Sequence, residues 1–200
     1  MPATAPRNQP GSLGDRAAED LRFIRDAMAR SATFTAVPGV GGAAMGAIGL
    51  VGAIVASRQP TPDRWLATWL VAAAVAAAAG TWGIVAKAKR AGLPLNGSTA
   101  RNFGIGLMAP LAAGAAITYA LWTVGAYKLM PAVWLLLYGT GVLVGGVFTV
   151  PVVRLTGALF MVFGFAAVLM PPQFGNLWLG AGFGVLQLGG GVFIARRHGG

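Results

Sequence analysis

The side chains that most often carry chemistry inside proteins are nearly missing from this chain. Cysteine is absent, the single histidine is His198, and no aspartate or glutamate follows Asp63. Without cysteine there is no disulfide, thiolate metal site or cysteine nucleophile. With one histidine in the last three residues, haem ligation and imidazole base catalysis have no side chain in the interior. Carboxylate proton relays, cation sites and metal-assisted hydrolysis lack their acids as well. Ser98 and Thr99 have no histidine or carboxylate to complete a hydrolytic triad. The expectation is a protein that is not an enzyme and that holds no cofactor and no metal.

The polar groups that remain are few. Gln187 falls near the middle of the last apolar stretch, and its amide needs hydrogen-bond partners if buried there. Tyr119 and Tyr138 come to similar depth from oppositely directed segments, so they are expected to meet each other or to frame a small pocket with Trp122. Interhelical structural contacts are the default for all four, and a solute pocket is the sharper alternative. Pro110 cannot donate its backbone hydrogen bond and predicts a bend, and a hinge there is the functional alternative. The segment Lys87 to Arg101, KAKRAGLPLNGSTAR, carries four cations and no anion, so Lys87, Lys89, Arg90 and Arg101 are expected to meet anionic headgroups.

The elements that position these residues follow from hydropathy. Hydrophobic residues make up 56% of the 200 and charged residues only 10%, well under the roughly 25% charged of a soluble domain. The apolar residues form blocks long enough to cross a bilayer at a helical rise of about 1.5 Å per residue. Six spans are expected, at about 33–57, 65–86, 103–126, 132–150, 152–170 and 177–195. The fifth is the least secure, because Arg154 sits near its start and Pro171 and Pro172 end it. Met1 to Gly14 reads as a disordered lead. No secretory leader is expected, since the first apolar run follows some thirty charged and polar residues.

From Asp15 to Ser31 the pattern predicts an amphipathic helix, cytoplasmic or interfacial, with Ser12 and Asp15 at capping-box spacing. Ala17, Leu21, Ile24 and Met28 form its apolar stripe. Glu19, Arg22, Asp26 and Arg30 form an ion-paired ridge opposite. Four acids balance four arginines, which argues against an electrostatic lipid-binding arm. The helix is expected to lie at the interface, to cap the bundle or to dock a partner.

Orientation follows from the cations, which favour cytoplasmic loops. With the N-terminus inside, twelve of the fifteen Lys and Arg residues fall on the inner side; only Arg58, Arg64 and Lys128 fall outside. Both termini are therefore expected in the cytoplasm. Trp65, Trp69, Trp122, Trp134 and Trp178 fall towards the outer surface, where indoles anchor at the interface, and only Trp82 lies inside. The net charge of +10 is explained by this topology, and nucleic acid is not expected as a partner.

Small residues set the expected packing. Gly42, Gly46 and Gly49 stud the first span, with Gly42 and Gly46 as a GxxxG pair, so that span is expected to be central. Similar runs at Ala72 to Gly80, Ala112 to Ala116 and Gly180 to Gly191 predict a tight bundle rather than a wide channel. The segments GVLVGGVF (141–148) and GVLQLGGGVF (184–193) suggest that the hairpin of spans three and four is repeated in spans five and six.

The run LRFIRDAMARSATFTAVPG and the ending VFIARRHGG resemble those of a group of small, uncharacterised bacterial multi-pass membrane proteins. The resemblance covers the whole chain and implies a bacterial inner-membrane location; it assigns no active residue. Three functional classes are open to such a chain. First is a non-enzymatic membrane protein acting through contacts with a protein partner or with further copies of itself as a homo-oligomer, in regulation or assembly. Next is a permease or export component for a small neutral or lipophilic solute. An enzyme acting on lipid or isoprenoid is disfavoured, because the spans contain no acid, base or metal-binding set.

Overall fold

The computed structural model describes residues 14, 19–24, 39–92 and 97–198. Two compact units divide the chain, Met1–Ala32 and Thr33–Gly200. In the first, Gly14 and residues 19–24 are helical and exposed; the rest of the lead and of the amphipathic helix expected there lies outside the described residues.

The second unit is all helical among the described residues, and six of its helices are long and apolar enough to cross a membrane. They are α1 (Gly39–Ala56), α2 (Pro62–Ala91), α3 (Ser98–Thr123), α4 (Met130–Gly146), α5 (Pro151–Leu169) and a composite sixth span, Pro172–Arg197. This last contains α6 (Gly175–Leu179), a π-helical segment Gly180–Leu186 and α7 (Gln187–His198). Its exterior is apolar, with Val51, Leu70, Val75, Ile105, Leu155 and Val168 exposed, as lipid demands of a spanning protein.

Local chemistry explains the helix ends. Thr61 caps α2 by accepting the Arg64 backbone N–H, with Pro62 at the first position where its missing donor costs nothing. Gly92 stops α2 in the left-handed region at φ 62°, its N–H bonded to the Ala88 and Lys89 carbonyls. Gly125, at φ 71°, performs the same turn after α3. The helices so bounded differ from the hydropathy reading: α2 is longer at both ends, and α3 lies a few residues earlier. The fifth span is a full helix of 19 residues, with Arg154 exposed in its first turn.

The helices pack as two triads. In one, α1 lies between α2 and the sixth span; in the other, α4 lies between α3 and α5. Close backbone approach holds each triad together. A Cβ at Gly46 would collide with the backbone of Leu188, one at Gly49 with the Phe183 carbonyl, and one at Gly42 would press on Gly191. Gly157 on α5 sits equally tightly against Leu143 on α4. In lipid, such approach supplies the packing that burial from water supplies elsewhere. The triads meet where Leu135, Phe160 and Leu179 are fully buried.

Three packing expectations change. Alongside α1, α4 is a second central helix, with the larger buried share. The run Ala112 to Ala116 lies mostly exposed on α3, and α2 and α3 make little contact along their lengths although they are consecutive. The suggested hairpin repeat also packs unequally. Gly141 and Gly145 of α4 face the preceding helix at Leu107 and Phe103, whereas Gly184 and Gly191 face α1 at Leu50 and Ala43.

Candidate functional site

One end of the bundle gathers Arg101, Arg154, Arg196, Arg197, Lys87, Lys89 and Arg90; the other gathers five tryptophans. At the tryptophan end the indoles do more than anchor. The Asn176 side-chain oxygen accepts the ring N–H of Trp65 at 3.1 Å and of Trp69 at 3.0 Å, while its amide donates to the Ala53 carbonyl at 3.0 Å. Asn176 therefore ties the start of the sixth span to α1 and α2. Trp65 stacks on Trp134 with centroids 5.7 Å apart, and Trp134 donates to Thr118 at 2.8 Å. The interface-anchor expectation fails for Trp69, which is buried in the core and gives its N–H to Asn176. Asp63, the last acid of the chain, accepts from Trp122 at 3.0 Å and from the Tyr127 hydroxyl, fastening α2 to the end of α3 and the turn after it.

Deeper in the bundle, the structure joins two of the four sequence-selected polar residues. The Tyr138 hydroxyl donates to the Gln187 oxygen at 3.4 Å, and the Gln187 amide nitrogen lies 3.9 Å from the Met45 sulfur. Both contacts are long, so the amide keeps hydrogen-bonding capacity. Beside them is a pocket of about 120 Å³ walled by Gly80, Phe103, Leu107 and Thr156. Tyr119 is not there. On α3 the half-buried or buried positions Leu107, Leu111, Gly114 and Thr118 form the inward stripe, and Tyr119 follows it by one residue, about 100° around the helix. It is 66% exposed and, among the described aromatics, packs only on Trp122, with centroids 5.9 Å apart. Trp122 in turn belongs to the Asp63 cluster rather than to a Tyr119–Tyr138 pocket.

A second, larger cleft of about 880 Å³ opens at the tryptophan end, between the ends of α1 and α2 and the start of the sixth span. Trp65, Tyr127, Lys128 and Asn176 lie on it, as do Gly180, Ala181 and Val185 of the π-helical segment. The same span thus walls both cavities. Tyr138, in the wall of the smaller one, packs edge to face on Phe160 and Phe183, which are tilted against each other, with centroids 4.7 to 5.2 Å apart. Phe183 belongs to the π-helical segment, a form of backbone frequent at functional sites.

Sequence reasoning missed Asn176, Asp63 and the π-helical segment. Asn176 follows two prolines and reads as an ordinary loop residue; its only signal was a lone amide next to a tryptophan belt. The sixth span contains a stretch of π-helix that hydropathy did not mark, and α3 continues as helix through Pro110. Of the N-terminal stripe, Leu21 and Ile24 are exposed on a helical segment, and Ala17 and Met28 lie outside the described residues. At the cationic end Lys89, Arg90 and Arg101 are exposed and Lys87 is half-buried.

These features define a polytopic all-α membrane protein of six spans. No family model, characterised protein or solved structure matches the chain.

Proposed function

We propose that the protein is a non-enzymatic permease or export component for a small neutral or lipophilic solute, in a bacterial inner membrane with both termini cytoplasmic. The observation that carries this reading is the pair of cavities along the sixth span, one open at the tryptophan end and one beside Gln187. Tyr138 of the smaller cavity packs on Phe183, which rides on irregular backbone at mid-depth, and discontinuous helices serve transporter sites at that level. Gln187 and Tyr138 would read a hydroxyl or carbonyl of the solute. The cation asymmetry supports the orientation, and the resemblance of the N-terminal run and the ending to bacterial proteins supports the location. In this orientation Lys87, Lys89, Arg90 and Arg101 meet anionic headgroups of the inner leaflet.

Reconstituted vesicles test the proposal. The full chain should speed the passage of at least one of glycerol, xylitol and monobutyrin, and Gln187→Leu should slow that probe several-fold while thermal unfolding stays cooperative. Equal flux in a folded Gln187→Leu protein would remove the reading.

A second reading, action through protein contacts in regulation or assembly, is favoured by the exposed Leu21, Phe23 and Ile24 on the N-terminal helix. Such an apolar face suits a groove on a protein partner or on another copy. Deleting 15–31 should then abolish partner capture by crosslinking; unchanged capture would exclude that helix as the docking element.

A further inference from the structure

We infer that the cleft at the tryptophan end is a lipid site, holding one hydrocarbon chain of a phospholipid whose head is anionic. The wall of the cleft changes in character along its length. Leu50, Ile54, Ala181 and Val185 line it along α1 and the π-helical segment, while Gln59, Lys128 and Gln173 stand at its mouth. Among the described residues Lys128 is the only charged one lining it, and no carboxylate does so. Asp63 lies off the lining and is engaged by Trp122 and Tyr127. A negative head at this mouth therefore meets a cation in the wall itself, while the nearest carboxylate stands behind Tyr127. Trp65 and Tyr127 also lie on the cleft, and such rings settle at headgroup level.

Size selects a lipid chain over a helix of another protein. A spanning helix fills a cylinder about 10 Å wide and 30 Å long, roughly 2400 Å³. The cleft offers about 880 Å³, within the range of small-molecule sites. Ile54, Leu177 and Val185 are 55%, 64% and 63% exposed, so the apolar wall is open to a chain arriving from the bilayer. The π-helical segment keeps that wall shallow, since Gly180 and Ala181 carry little or no side chain where α1 passes at Ala53.

The test uses the full chain in phosphatidylcholine nanodiscs containing a trace of phosphatidylglycerol with a diazirine near the end of one acyl chain. A matched phosphatidylcholine probe runs in parallel. Photoadducts are expected on Ile54, Leu177 and Val185, with the anionic probe favoured about five-fold, the value of one cation beside an anionic head. Lys128→Gln should bring that ratio to about one and leave the adduct positions unchanged. Val185→Trp should fill the cleft and deplete its adducts; Leu177→Trp replaces it if the former unfolds. Equal labelling by the two probes in the unaltered protein would overturn the inference. So would adducts spread as densely over the outward faces of α2 and α3, at Val75 and Ile105. None of these readouts passes through solute flux, so a Gln187→Leu protein with unchanged flux overturns the transport reading and leaves this one standing.

Discussion

Helices α1 and α3 are both rich in glycine and alanine and run in the same direction through the bundle, yet they are used in opposite ways. Along α1, Gly39, Gly41, Gly46, Gly49 and Gly52 are buried. On α3 only Thr118 is buried, and Ala112, Ala113, Ala115 and Ala116 face outward. The difference lies in reciprocity. The glycines of α1 meet Gly184 and Gly191 across the contact with the sixth span, so two backbones approach along one line. The alanines of α3 have no such line opposite them; α3 touches α4 instead through Gly106, against Gly145. Small residues permit close packing in lipid, and it takes a matching face to use the permission.

That contrast can be broken by substitution. Gly46→Leu drives a side chain into the Leu188 backbone and should cost about 3 kcal/mol or more, read as lost stability in steric-trap unfolding. Asn176→Leu strips the buried Trp69 and the half-buried Trp65 of their acceptor and Ala53 of one of its two donors; about 2 kcal/mol is expected, together with a red-shifted tryptophan emission as Trp69 is released. Ala113→Leu on the outward face of α3 should change stability by no more than about 0.5 kcal/mol. A large loss there would mean that α3 has a partner face after all.

Much of the fold was legible because bilayer thickness acts locally, so six apolar blocks are readable one segment at a time. The helix ends were not read that way: Thr61 before Pro62 and Gly92 after Ala91 set them, and hydropathy is blind to caps. The site was less legible. Depth alone paired Tyr138 with Tyr119, and it served Tyr119 badly, because one residue of rotation separates the inward stripe from the lipid face; Gln187 stood apart as a midplane amide until the fold brought Tyr138 to it. Asn176 becomes informative only once the bundle brings Trp65, Trp69 and Ala53 to it from more than 100 positions away. The π-helical segment has the composition of an ordinary glycine-rich span, so nothing in its residues marks the altered hydrogen bonding.

The pairing of α1 with the sixth span, and the separation of α2 from α3, can be measured together by disulfide trapping, because the chain has no cysteine of its own. A Cβ at Gly180 would lie 3.1 Å from that of Ala53, near the separation a disulfide requires. Ala53→Cys with Gly180→Cys should therefore oxidise rapidly in the membrane. Ala74→Cys with Ala112→Cys, at matching depth on α2 and α3, should not. Efficient trapping of the α2–α3 pair with none between α1 and the sixth span would contradict the two-triad arrangement.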